Sequence, residues 1–194
     1  MTQRIPLFPL QTVLFPGGPL PLRIFEPRYL DMVSDCMKKD IGIGVVLIRD
    51  GLEVGKAAET HNVGTVCKIT YWNKRSDGVL GVTVRGEQRF KILSHYVEHS
   101  QLVMAEVDLI PNDPITPIPI QFKPMISLLH QIIDQLEPPY TTMPTDYDDA
   151  GWVGARLVEL LPMELQQKQS YLKLHDPLER LESLSDSLER MEVW

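Results

Sequence analysis

The spacing of prolines in the first thirty residues constrains this chain more than any other feature. Ile5 to Leu30 reads IPLFPLQTVLFPGGPLPLRIFEPRYL, with prolines at 6, 9, 16, 19, 21 and 27, six of the 16 in the chain. Proline lacks a backbone N–H and has a fixed φ, so central strands and helix interiors exclude it. The same stretch is dense in Leu, Ile, Val and Phe, which demands burial. Two short extended pieces joined by a tight turn satisfy both requirements. Leu7 and Phe8 lie in the first piece, and Leu20, Leu22 and Ile24 share one face of the second. Pro16-Gly17-Gly18 makes the bend, because glycine accepts positive φ without steric cost. Phe25 and Glu26 lead into Pro27, which suits the first position of a helix.

The next eighty residues predict one helix and a run of short strands. The helix extends from Pro27 to about Lys39, with Leu30, Val33 and Met37 at helical spacing and Lys38 and Lys39 at the negative end of its dipole. IGIGVVLIRD, from Ile41, is apolar and β-branched and reads as a buried strand. The loop DGLEVGKAAE fails as a phosphate cradle. Three residues rather than four separate Gly51 from Gly55, and Ala57 stands where a hydroxyl would hold magnesium. VGTVCKITYW, from Val63, is a strand with Val66, Cys67 and Ile69 among polar residues, and Asn73 to Gly78 is a polar turn. VLGVTVRG, from Val79, is a strand ended by Gly86-Glu87. QRFKILSHYVE, from Gln88, and LVMAEVDLI, from Leu102, pair as the last two strands. Short strands at this spacing predict a closed or partly closed antiparallel barrel.

PLFPL, VLFPG and LPLRIFEPRY, together with the VG at Val63 and VRGEQRF at Val84 to Phe90, resemble the substrate-binding N-terminal domain of Lon proteases. The pattern is also similar to bacterial proteins that carry this domain alone. The resemblance covers about residues 4–110 and implies a PUA-like antiparallel β pseudo-barrel with one helix. RLVELLPMELQQKQSYLKLHDPLERLESL, with its Lys168-Gln169 pair, resembles the helical part that follows the barrel in that family. The expected class is therefore α+β: a barrel over residues 1–110, a Pro-rich linker over 111–118 and an α-helical bundle over 119–194.

In that second part, Phe122, Met125, Ile126, Leu129, Ile132, Ile133 and Leu136 form an apolar stripe on a helix spanning about Ile120 to Glu137, stopped by Pro138-Pro139. Tyr140 to Asp149 is polar and expected to be mobile. A second helix over about Ala150 to Leu161 buries Trp152, Leu157 and Leu160. Pro162 begins a third, with Leu165 and Leu172 on one side. Asp176 then serves as N-cap and Pro177 as N1 of a last helix carrying Leu181, Leu184, Leu188 and Met191.

Charge and composition narrow the function. Residues 1–110 carry 13 Lys and Arg against 12 Asp and Glu, and residues 111–194 carry 6 against 14, within a total of −7. Neither part offers a basic run, which argues against nucleic acid and against anionic membrane as partners. No apolar run reaches the roughly 18 residues needed to span a bilayer. The opening residues lack a signal-peptide pattern, so the expected compartment is the cytoplasm, with Cys36 and Cys67 reduced and buried.

Catalytic and metal patterns are weak. His61, His95, His99, His130 and His175 have no metal-ligand spacing. Asp146, Asp148 and Asp149 fail as a calcium loop, since Ala150 fills the third ligand position and Leu157 stands where a glutamate is required. The resemblance implies a module without the ATPase and Ser–Lys protease domains of Lon, and no cofactor is expected. The expected function is non-enzymatic binding of an unfolded or partner polypeptide, with weak self-association left open. Arg23, Glu26 and Arg28 read as an ion-pair cluster or as the polar rim of an apolar groove, and Arg85 and Arg89, flanking the Gly86 turn, carry the same two readings. Arg23, Phe25, Arg28, Tyr29, Arg85 and Arg89 are the candidate peptide-binding residues. Trp72, Tyr140, Tyr147 and Trp152 stand on or beside polar stretches as anchors or as packing. The rival functions are an RNA or modified-base reader, a regulator of full-length Lon, and an enzyme acting on a small molecule.

Overall fold

The computed structural model describes residues 2–191, so the last three residues of the expected helical domain lie outside it. The chain divides into two compact units, Met1–Pro111 and Asn112–Trp194.

The first unit is a seven-stranded sheet closed on itself, with one helix. Its elements are β1 (Thr2–Leu10), β2 (Pro19–Ile24), α1 (Pro27–Lys39), β3 (Ile43–Asp50), β4 (Glu59–Thr60), β5 (Val63–Lys74), β6 (Leu80–Val97) and β7 (Val103–Leu109). The strand order is β1-β7-β6-β5-β3-β4, and a β1–β3 pairing closes the ring. Every pairing is antiparallel except that one.

The two opening strands do not pair with each other, and β1 is not an edge strand along its whole length. Thr2 to Leu7 pair with β7, and Leu7 to Leu10 pair with β3 on the other side. Each half therefore has one paired edge. Pro6 and Pro9 fall in different halves, so each can turn its donorless nitrogen to the side without a ladder. This is how a proline-rich strand closes a sheet. β2 pairs only with β6, and its Pro19 and Pro21 alternate with residues of the other face.

VLGVTVRG and QRFKILSHYVE form one continuous strand, β6, rather than two separated at Gly86-Glu87. Glu87 is an extra residue: Val66 lies opposite Gln88, and Cys67 opposite Gly86. The glycine serves a close approach instead of a turn. A Cβ on Gly86 would overlap the carbonyl oxygen of Phe15.

Strand alternation sends neighbouring side chains to opposite faces. Leu7, Val46 and Val66 enter one apolar cluster with Ile5, Phe90, Val103, Ala105 and Val107. Phe8, Val45 and Cys67 enter the other, beneath α1. α1 buries Val33 as expected, together with Tyr29, Met32 and Cys36, whereas Leu30 is half-buried and Met37 is exposed. Both cysteines are free thiols in buried positions. Burial pushes both thiols up, Cys36 to about 11.

The second unit contains α2 (Lys123–Ile133), α3 (Ala150–Leu160), α4 (Leu165–Lys173) and α5 (Pro177–Arg190), with 3-10 turns at Ile120–Phe122 and Tyr140–Thr142. α2 ends before the Pro138-Pro139 stop, and its buried face is Met125, Leu129 and Ile133. Leu157 is buried as expected, but Trp152 and Leu160 are only half-buried, and α3 buries Val153 and Val158 in their place. α4 starts at Leu165, three residues after Pro162. α5 matches its expected cap, with the Asp176 carboxylate accepting from the N–H groups of Leu178 and Glu179, and Leu181, Leu184 and Leu188 fully buried. The Tyr140 to Asp149 stretch is partly anchored: Tyr147 stacks on His130 with ring centroids 3.8 Å apart and meets Trp152 edge-on. The Pro-rich stretch is held within this unit. Thr116 receives the Ala150 N–H on its carbonyl and donates its own N–H to Asp149, and Asp113 pairs with the buried Arg180 at 2.9 Å.

Candidate functional site

The six candidate residues fall into two groups. Arg28, Tyr29 and Arg89 are buried, and Arg23, Phe25 and Arg85 reach the surface. Arg89 lies in β6 opposite the fully buried Thr65, so it belongs to the interior and flanks no turn.

Arg28 is a clasp. It sits in the first turn of α1, where Pro27 at the first position needs no N–H partner. Its guanidinium donates to the Gln101 carbonyl at 2.9 Å, pairs with Glu26 at 3.2 Å and stacks over the Tyr29 ring. Gln101 holds a left-handed φ of 70°. The Glu26 carboxylate also accepts from the Gly55 N–H, and the Gln101 side chain accepts from the Ala57 N–H. One buried cation thus ties together the start of α1, the loop after β3 and the turn before β7. Phe25 and Val54, next in sequence to Glu26 and Gly55, are exposed, as is Leu52. Desolvation by burial pushes the Tyr29 hydroxyl up to about 12.

From the clasp a groove of about 430 Å³ runs along α1. Its wall is α1, through Asp31, Met32, Asp35, Cys36 and Lys39, and its floor is the β1–β7 surface bearing Arg4, Pro6, Leu102 and Met104. Pro6 is the cross-strand partner of Met104, and Met104 of Tyr96, which is 47% exposed. The floor therefore leads from buried Pro6 through half-buried Met104 to the exposed Tyr96. Part of its charge is paired. Lys39 pairs with Asp35 at 3.9 Å, and Arg4 with Glu106 at 3.7 Å while lying over the Tyr96 ring.

The Cys36 thiol in the groove stays protonated near neutral pH because burial raises it. Among the described residues no group of three or more His, Cys, Asp or Glu could hold a metal ion. No helix among them is long and apolar enough to cross a membrane. Asp149, one of the three aspartates weighed as calcium ligands, caps α3 with its carboxylate.

The sequence reading missed Met104, Met32 and Tyr96. A signal for Met104 was present. In VMAEVDL, Val103, Ala105 and Val107 are buried and alternate with Met104, Glu106 and Asp108, so Met104 is an apolar residue in a polar register.

Comparisons with known proteins agree with this architecture. The family described as the ATP-dependent protease La (LON) substrate-binding domain matches residues 4–190. Lon protease 2 of Myxococcus xanthus is 24% identical over 196 residues, which is 97% of this chain and 24% of that protein. Protein cereblon of Xenopus tropicalis is 32% identical over 114 residues, which is 57% of this chain and 24% of that protein. The chain thus spans about a quarter of the length of these curated relatives. The crystal structure of a Lon N-terminal domain protein from Xanthomonas campestris has a TM-score of 0.79 at 35% identity, covering 95% of this chain and 98% of that one. The N-terminal domain of Mycobacterium avium complex Lon protease shares the fold, with a TM-score of 0.61 at 18% identity. Groove, clasp and closed sheet accordingly sit on a known scaffold, and the chain belongs to the Lon substrate-binding domain family.

Proposed function

We propose that this protein binds extended, unfolded segments of other polypeptides in the groove between α1 and the β1–β7 surface, and that it performs no chemistry on them. The single observation that carries this reading is the composition of the groove. Met104, Leu102 and Pro6 give it an apolar floor facing Met32 of the wall, and four of its charged residues, Arg4, Arg28, Asp35 and Lys39, are already held in ion pairs. Methionine is flexible and polarizable, so it fits many side-chain shapes, as a binder of varied segments requires. A cleft with an apolar base and a few polar groups is the common form of a peptide site. The family's description as a substrate-binding domain supports the same reading, with a PUA-like barrel over residues 1–110 as the binding domain. In this reading Arg28 and Tyr29 build the end of the groove, and Phe25 extends it at the surface.

The test is fluorescence anisotropy with a labelled, permanently unfolded polypeptide, such as reduced and carboxymethylated lactalbumin. Saturable binding is expected, weakened about tenfold by Met104→Glu, which places a charge on the apolar floor. Unchanged affinity in a folded Met104→Glu variant removes the groove from the account. Absence of binding at high micromolar concentration removes the function.

A further inference from the structure

A second surface, separate from the groove, is formed by β2, the first half of β6 and the outer half of β5. Its register is fixed by pairing. Arg85 lies opposite Lys68, Thr83 opposite Tyr71, and Gly81 opposite both Arg23 and Asn73. Val82 and Val84 are buried on the other face, so Gly81, Thr83 and Arg85 point outward with their partners.

A β-bulge shapes this face. Ile69 pairs with Val84 and Tyr71 with Thr83, which leaves Thr70 as an extra residue. Without the bulge Tyr71 would share the face of Ile69. The bulge turns it outward among the cations, where it is 61% exposed. Bulges of this kind re-aim side chains and concentrate near functional sites.

Charge is segregated here. β2, residues 80–86 of β6 and residues 68–74 of β5 hold no Asp or Glu, and on this face they carry Arg23, Lys68 and Arg85, in a chain of net charge −7. Arg85 and Lys68 stand directly across from each other, an arrangement that destabilises a sheet unless something offsets it. Lys68 reaches away to Asp40 at 3.2 Å. Arg23 and Arg85 have no acidic partner among the described residues.

We propose that this face docks an acidic, extended polypeptide segment. Arg23 and Arg85 lie four residues apart in the β6 frame, about 13 Å by strand rise. An extended chain laid along β6 presents every second side chain to the face, so carboxylates at positions i and i+4 meet the two arginines. The side chain at i+2 falls over Tyr71 and Thr83. The segment recognised is acidic, any residue, apolar or aromatic, any residue, acidic. A nucleic acid fits this face less well, because so few cations release few counterions and the rest of the chain repels phosphate.

The test uses the full chain and a fluorescein-labelled peptide containing Glu-Ser-Phe-Ser-Glu. Controls are the same peptide with its two glutamates adjacent, a version with lysines, and a twelve-residue oligothymidine. Binding at about 50 mM salt is expected for the spaced acidic peptide, several-fold weaker for the adjacent one, and lost at about 500 mM salt. The double variant Arg23→Glu, Arg85→Glu is expected to bind at least about tenfold more weakly, and Tyr71→Ala several-fold more weakly, both with unchanged circular dichroism. Met104→Glu is expected to bind this peptide as the parent does, which separates the face from the groove. If the double charge reversal misfolds, Arg23→Gln with Arg85→Gln replaces it. Equal binding of the lysine peptide, tighter binding of the oligonucleotide, undiminished binding by the folded double variant, or self-association abolished by that variant would each overturn the proposal.

Discussion

Gly17 and Gly86 are joined backbone to backbone across the first unit: the Gly17 N–H donates to the Gly86 carbonyl at 2.8 Å, and the Gly86 N–H donates to the carbonyl of Gly18 at 2.9 Å. Gly17 holds a positive φ of 81°, which lets the PGG turn fold back onto β6. The same turn places the Phe15 carbonyl where a Cβ of residue 86 would stand. Nearby, the buried Thr65 hydroxyl donates to the Leu14 carbonyl. Gly86→Ala must therefore push the turn off the strand and break both hydrogen bonds. A loss of about 3 kcal/mol is expected in urea unfolding, from overpacking together with unsatisfied buried backbone groups. A loss below about 1 kcal/mol would show that the turn yields freely.

This contact explains why the two most distinctive sequence motifs are both glycine-bearing, and why one was misread. PGG was legible as a bend from its residues alone. The glycine of VRGEQRF looked like a strand end, because glycine followed by a polar residue is a common turn signal. Its cause is a backbone approaching from a distant part of the chain, which local spacing does not encode. The same limit applies to β1, where Pro6 and Pro9 are tolerated because the strand changes neighbours at Leu7. α1 and the Asp176 cap of α5 were legible, since Pro at the first position and a capping Asp act locally. The groove was not legible, since Met32, Met104 and Pro6 meet only through the fold.

The Arg28 clasp is a stability element. Arg28→Met keeps the stem and removes the guanidinium that serves Gln101 and Glu26. The Gln101 carbonyl and Glu26 then lose their buried partner, at a cost of about 2–3 kcal/mol. Hydrogen exchange is expected to accelerate in residues 51–58 and 98–102, which the clasp holds, and to stay unchanged in α5.

Stability should fall in alkali. Burial raises Tyr29 from 10.0 to about 12 and Cys36 from 9.0 to about 11, so the folded form holds both protons more tightly than the unfolded chain. This contribution is fully present below about pH 9 and is lost as pH rises through about 11 and 12. Tyr29→Phe removes one titrating group and is expected to flatten the decline in melting temperature between about pH 10 and 12. An equally steep decline in Tyr29→Phe would assign the loss elsewhere.

Asp149 holds two segments of the second unit together. Its carboxylate caps α3 by accepting from the Gly151 and Trp152 N–H groups and also accepts from the Thr116 N–H at 2.9 Å. Asp149→Ala is expected to destabilise by about 2 kcal/mol, the upper range for a lost cap. Asp149→Asn, which keeps an acceptor oxygen, is expected to recover much of that loss in thermal unfolding.

The central claim, that unfolded polypeptide binds between α1 and the β1–β7 surface, is tested most directly by methyl NMR of the protein labelled at its methionines. Met32 and Met104 line the groove, while Met125 and Met143 are buried in the second unit and serve as internal references. On titration with carboxymethylated lactalbumin, the Met32 and Met104 methyl signals are predicted to shift in a saturable way while Met125 and Met143 stay fixed. Saturable binding with Met32 and Met104 unmoved would contradict the account.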